Sequence, residues 1–210
     1  MGDTLQVYTT VPDAPRYAER DEERQLAKLL DVDAPGVYVD IGCNGELGSV
    51  TLWLYREKGW RGLLVDAREE CLSYESTIDQ PEDTFIRAAV CEYDGGRMDM
   101  VLCGNLSRFV GVGEDLGSKV FTAPSITINT LIRLMPQFAV PALFNLDIEG
   151  AEWRALSVCD FDLFQPGLMV IEQLTTGIGS TRRLWECFVT PAYDLAYENK
   201  VNTFWRRRNA

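Results

Sequence analysis

Histidine is missing from all 210 residues of this chain. That absence excludes Ser-His-Asp hydrolysis, H-E-x-x-H metalloproteolysis and histidine general-base chemistry together. Acid–base work falls to carboxylates, tyrosines, cysteines or the four lysines, Lys28, Lys58, Lys119 and Lys200. Positive charge is also scarce: 20 Lys and Arg face 32 Asp and Glu, for a net charge of -12. Such a balance opposes a nucleic-acid partner, which needs a cationic footprint. Arg206, Arg207 and Arg208 form only a local basic tail, read as a solvated terminus. No 18-residue apolar run is present to span a membrane, and the N-terminus lacks the apolar core of a signal peptide. Gly2 follows Met1, but Gln6 stands where a myristoylation signal has Ser or Thr. The six cysteines contain no C-x-x-C and read as reduced, mostly buried thiols rather than disulfides or a zinc site. These features predict a soluble, cytoplasmic chain, with 46% hydrophobic residues sufficient for one domain over 1–210.

What is present is concentrated at Val37-Tyr38-Val39-Asp40-Ile41-Gly42-Cys43-Asn44-Gly45-Glu46-Leu47-Gly48-Ser49. An apolar run ends on a carboxylate, glycines follow at intervals of three, and a helical pattern begins. In open α/β sheets this strand–turn–helix junction is where ligands bind. The spacing is G-x-x-G-x-x-G, not the G-x-G-x-x-G of a dinucleotide site, and an acid beside the turn repels a pyrophosphate. It suits a ligand with ammonium or sulfonium charge, such as S-adenosylmethionine. A second apolar strand, Gly62 to Val65, ends on Asp66, where a ribose-binding acid is expected.

Further elements alternate. Helices are expected over Ala18–Leu30, Gly48–Lys58, Glu69–Ile78 and Gly150–Val158, and strands over Val37–Val39, Gly62–Val65, Thr84–Val90, Pro141–Leu146 and Gly167–Ile171. Short β-like pieces at Met98–Cys103, Lys119–Thr122 and Ser125–Ile128 read as an antiparallel excursion or lid. Strand-like pieces at Asp194–Tyr197 and Asn202–Trp205 suggest an antiparallel finish. The pattern predicts an α/β fold with a mostly parallel sheet, preceded by an N-terminal helical segment over 1–36.

Parallel strands share one carboxyl edge, so Asp40, Asp66, Asp147 and Glu172 should gather there, with Glu149 just beyond. Glu149 and Glu152 also fit a bland role as acids at a helix N-terminus. The segment Asn145-Leu146-Asp147-Ile148-Glu149-Gly150-Ala151-Glu152, together with Asp40-Ile41-Gly42-Cys43-Asn44-Gly45 and the strand closing on Glu172, resembles the FkbM family of S-adenosylmethionine-dependent methyltransferases. The likeness runs in order from about Tyr38 to Phe204 and includes Thr127 to Leu131 and Pro191 to Trp205. Departures are Asp66-Ala67 where the family often has glutamate then proline, Cys43 where alanine is common, and Asn145 where lysine is frequent.

The resemblance implies a Rossmann-like class I methyltransferase fold with helices on both faces of the sheet. It implies a cofactor turn of Gly42, Cys43, Asn44, Gly45, Gly48 and Ser49, with Asp40 near the methionine ammonium group. Asp66 would take the ribose hydroxyls, and Ala67, Ala88 and Ala89 would border the adenine. Asp147, Glu149 and Glu172 would face the acceptor, a hydroxyl on a sugar, glycan or small natural product. One of them would act as base, or all three would hold Mg2+. The rivals are an RNA 2′-O-methyltransferase, whose K-D-K-E set has no counterpart here, a non-catalytic cofactor-binding or scaffold domain, and an NAD-dependent dehydrogenase.

Overall fold

The computed structural model describes residues 21–43, 50–69, 82–103, 106–109, 119–176 and 179–208. In chain order these give β1 (Val37–Ile41), β2 (Arg61–Asp66), β3 (Thr84–Arg87), β4 (Ala89–Val90), β5 (Arg97–Cys103), β6 (Leu106–Phe109) and β7 (Lys119–Ile126). They continue with β8 (Leu143–Leu146), β9 (Leu168–Glu172), β10 (Thr175–Thr176), β11 (Gly179–Ser180), β12 (Tyr193–Glu198) and β13 (Asn202–Arg207). The helices are α1 (Glu22–Leu29), α2 (Val50–Lys58), α3 (Ile128–Leu134), α4 (Glu152–Leu156) and α5 (Arg182–Val189).

Seven strands form one sheet in the order β12-β13-β9-β8-β1-β2-β3. Pairings from β9 through β3 are parallel, and β13 is antiparallel to both its neighbours. Strand order reverses at β1, whose neighbours are β2 and β8. That is the crevice position of a doubly wound sheet.

Alternation along the central strands assigns the two faces. Val39, Ile41, Leu63, Val65, Phe144, Leu146, Met169 and Ile171 join Trp185 and Trp205 in the larger core cluster. Tyr38, Leu64, Leu143, Leu168 and Val170 face the other way, with Leu26, Leu54 and Trp60. By the same alternation Asp40, Asp66, Asn145 and Glu172 belong to this second face. Asp147 joins them, because its N–H donates to the Ile41 carbonyl at 2.9 Å and extends the ladder beyond β8.

Several boundaries differ from the sequence expectation. The run Thr84–Val90 is not one strand: β3 pairs with β2, while β4 pairs with β7 in a separate sheet of order β4-β7-β5-β6. The chain changes sheets at Ala88, whose N–H still donates to the Asp66 carbonyl at 2.9 Å. The pieces at 119–122 and 125–128 are instead joined, as β7 runs through Pro124. Ser125 donates to Gly96 on the β5 side, so the missing N–H of Pro124 falls on the opposite side, where pairing with β4 starts only at Ser125. Ile128 opens a helix rather than closing a strand: Thr127 caps α3, its side chain accepting from the Thr130 N–H. Helix α4 is shorter than expected, starting at Glu152. The expected helix 69–78 lies almost wholly outside the described residues. No described helix is long and apolar enough to cross a membrane.

Candidate active site

The turn after β1 leans on β2. The Gly42 and Cys43 N–H groups both point at the Val65 carbonyl, at 2.8 and 3.4 Å. Gly42 has φ +84°, and a Cβ there would lie 1.6 Å from the Asp147 carbonyl oxygen. Glycine is therefore required twice, for its conformation and for the close approach of the loop after β8. This contact seats the acid-bearing loop directly against the glycine turn after β1. Cys43 is buried. Asn44, Gly45, Gly48 and Ser49 lie outside the described residues.

Asp40 is 0% exposed. Its carboxylate accepts from the Thr51 hydroxyl of α2 and from Asn145 Nδ2 of β8, the latter at 2.9 Å. It thus ties the turn to the helix after it and to the strand beside it. At the end of β2, Asp66 Oδ1 accepts from the Arg68 N–H at 2.8 Å, and the Arg68 Nε lies 3.5 Å from that oxygen. Ala67 and Ala89 are buried in a small cluster with Cys91, Met98, Met100 and Ala123 under the second sheet. Ala88, at the sheet change, packs into the main core.

Across the crevice, Asp147, Glu149 and Glu172 each place one carboxylate oxygen within 4.8 Å of the other two. Register explains this: Leu146 pairs with Ile171, so the next residues, Asp147 and Glu172, emerge side by side. Glu149 reaches the group from a left-handed backbone, φ 58°, which non-glycine residues rarely adopt. Asp147 and Glu172 share a hydrogen bond. Burial first, and the neighbouring acids second, push both carboxyls far above their ordinary range. The pair therefore holds a proton at neutral pH. The Oε2 atom of Glu172 is buried without a hydrogen-bond partner.

Glu152 behaves differently. It is fully buried, and its Oε1 accepts from the Ile148 and Gly150 N–H groups, both at 3.1 Å. Burial lifts its carboxyl to about 7. It reaches back from the first turn of α4 to brace the loop that carries Asp147 and Glu149. Two residues along, Arg154 forms a bidentate pair with Glu92 after β4, at 2.7 and 2.7 Å, which joins α4 to the strand holding Ala89.

The sequence pattern missed Thr51 and Arg68. Neither lies at a strand end or in a glycine turn, and only their spacing from Asp40 and Asp66 hints at a role.

No protein-family profile matches the sequence, and no curated protein does. Among solved structures, the chain is similar to an FkbM methyltransferase from Methylobacillus flagellatus, with a TM-score of 0.52 and 14% identity. That match covers 81% of this chain and 43% of the other, so the chain spans less than half of that protein's length. A precorrin-6y C5,15-methyltransferase from Geobacter metallireducens aligns over 94% of this chain and 93% of its own, at 11% identity and a TM-score of 0.49. At 14% identity the first likeness is one of fold. With the strand order above, it defines a Rossmann-like class I methyltransferase fold.

Proposed function

We propose that this chain is an S-adenosylmethionine-dependent methyltransferase of the FkbM type, acting on a hydroxyl of a sugar, glycan or small natural product. The observation that carries the reading is the division of one sheet edge. A glycine turn with Asp66 occupies the β1–β2 side, and Asp147, Glu149 and Glu172 occupy the β8–β9 side, joined by the contact between Gly42 and Asp147.

The residues present fit the cofactor. Asp66 offers acceptors to a ribose diol, Ala67, Ala88 and Ala89 are small enough to border an adenine, and an acid-preceded turn suits a cationic methionine end. Bound there, S-adenosylmethionine supplies a methyl group on a positively charged sulfur. The chain supplies proximity, since an in-line displacement gains most from holding its reactants in register. Asp147 or Glu149, as carboxylate, takes the proton from the acceptor hydroxyl as it becomes a nucleophile. Glu172 shares the proton of Asp147 and sets when that carboxylate is ionised.

A second reading is favoured by the mutual 4.8 Å spacing of the three acids. Three hard oxygen donors suit a divalent cation such as Mg2+, which would lower the pKa of a bound hydroxyl. Chelator treatment followed by Mg2+ addition separates the two, since only the metal version loses and regains activity. The acceptor is a small molecule or glycan. The net charge of -12 argues against RNA, and the chemistry suits a cytoplasmic enzyme supplied with S-adenosylmethionine. Titration calorimetry tests the core of the reading: micromolar binding of S-adenosylmethionine or S-adenosylhomocysteine is expected, about -8 kcal/mol, with no NAD binding. Binding of NAD alone would overturn it.

A further inference from the structure

Arg68 is 8% exposed, a degree of burial that arginine rarely reaches unless paired. Its partner is Asp66, whose side chain is equally enclosed, each being 9% exposed. Two donors of Arg68, its backbone N–H at 2.8 Å and its Nε at 3.5 Å, converge on the same oxygen, Asp66 Oδ1. The main chain of Asp66 is fixed independently, because its carbonyl accepts from the Ala88 N–H at 2.9 Å. Backbone and carboxylate plane are thus both set, the first by β3 and its continuation, the second by Arg68.

We propose that Arg68 is a positioning residue for nucleoside recognition. By holding Oδ1, it fixes the direction in which Asp66 Oδ2 meets the vicinal hydroxyls of a ribose. The proposal rests on the adenosyl-cofactor reading and goes beyond it by assigning diol selectivity to a residue outside the strand-end pattern. The physical gain is pre-orientation. A carboxylate that rotates about its last bond loses that freedom on binding, whereas one already held does not. A guanidinium suits this task because its planar donor group is rigid, and lysine at the same place is not equivalent.

The test compares two probes, S-adenosylhomocysteine and its 2′,3′-dideoxy analogue, by calorimetry on the wild-type chain and on Arg68→Met. Met keeps much of the buried volume and removes the guanidinium donor while leaving the backbone N–H on Oδ1. Affinity for S-adenosylhomocysteine should fall about ten-fold, the scale of a hydrogen bond to a charged group, while the dideoxy analogue should bind almost as before. Should Arg68→Met fail to fold, Arg68→Lys retains the buried charge and carries the same comparison, with a smaller loss confined again to the diol-bearing ligand. Equal losses for both ligands would reduce Arg68 to packing and overturn the proposal. So would unchanged affinity in Arg68→Met while Asp66→Ala weakens binding. A wild-type chain that binds neither probe nor S-adenosylmethionine removes the adenosyl reading itself, an outcome distinct from the other two.

Discussion

Carboxylates stand at equivalent strand ends on both sides of the crevice, yet the two sides treat them in opposite ways. On the β1–β2 side each acid has donors of its own: Asp40 takes Thr51 and Asn145, and Asp66 takes Arg68. On the β8–β9 side the acids face one another, and Asp147 and Glu172 settle their repulsion by sharing a proton. Satisfied carboxylates organise a site. Crowded ones hold protons close to neutrality and are poised to exchange them. Under the proposed function, that contrast corresponds to binding and framework on one side and proton transfer on the other, although the residue types are the same.

The largest expected effect breaks the crowded side. Asp147→Asn or Glu149→Gln should lower the methyl-transfer rate about 100-fold or more while cofactor affinity changes little; calorimetry alongside single-turnover kinetics checks both halves. In the wild type the rate should keep rising with pH above neutrality, because the raised carboxyls act as bases only once ionised. A rate that falls over that range would place the base elsewhere.

The satisfied side should respond in binding and in stability instead. Asp66→Ala is expected to weaken S-adenosylmethionine binding by roughly 1.5–3 kcal/mol and, by removing a partner of the buried Arg68 guanidinium, to lower the melting temperature as well. A shift in melting alone would return Asp66 to a turn-forming role. Asp40→Ala strands the Thr51 and Asn145 donors and should cost about 1–3 kcal/mol of stability, read by urea denaturation.

Glu152 gives the smallest effect and the finest test, since it is buried like the crowded acids yet its Oε1 takes two backbone donors, while its Oε2 is buried without a partner. Its folded carboxyl lies at about 7, above the ordinary 4.5. Its protonation therefore favours the fold fully below the unfolded value, and that contribution is lost as pH rises through 7. Melting should fall as pH rises from about 4.5 to about 7 and level off above that, and Glu152→Gln should flatten that slope, by up to about 1.4 kcal/mol per pH unit. An unaltered slope would assign the trend to general repulsion in this acidic chain.

The central strands were legible because apolar runs with terminal acids permit few other readings. Their alternation even carries the face on which Asp40, Asp66 and Glu172 lie. What stayed hidden depends on partners distant in sequence. Ala88 changes sheets because β7, some 36 residues on, offers β4 a second edge, and nothing local to Thr84–Val90 announces it. The pieces at 119–122 and 125–128 join through Pro124 because its missing N–H falls on the side away from β5, which only strand order decides. The convergence of Asp147 with Glu172 followed from a parallel register. The turn of Gly42 beneath the Asp147 carbonyl is a matter of ångströms that spacing alone does not encode.

Glu149 holds a backbone conformation that costs a non-glycine residue roughly 1–2 kcal/mol, at φ 58°. Under the proposed function, selection for chemistry and selection for stability therefore pull in opposite directions at one codon. A lineage that no longer needs that chemistry gains by drifting to glycine or asparagine there, because these residues adopt the left-handed backbone at lower cost. Under the proposed function, the identity of this single residue is a marker for sorting related chains: a glutamate kept against its own backbone preference goes with retained chemistry, and a glycine in its place with its loss.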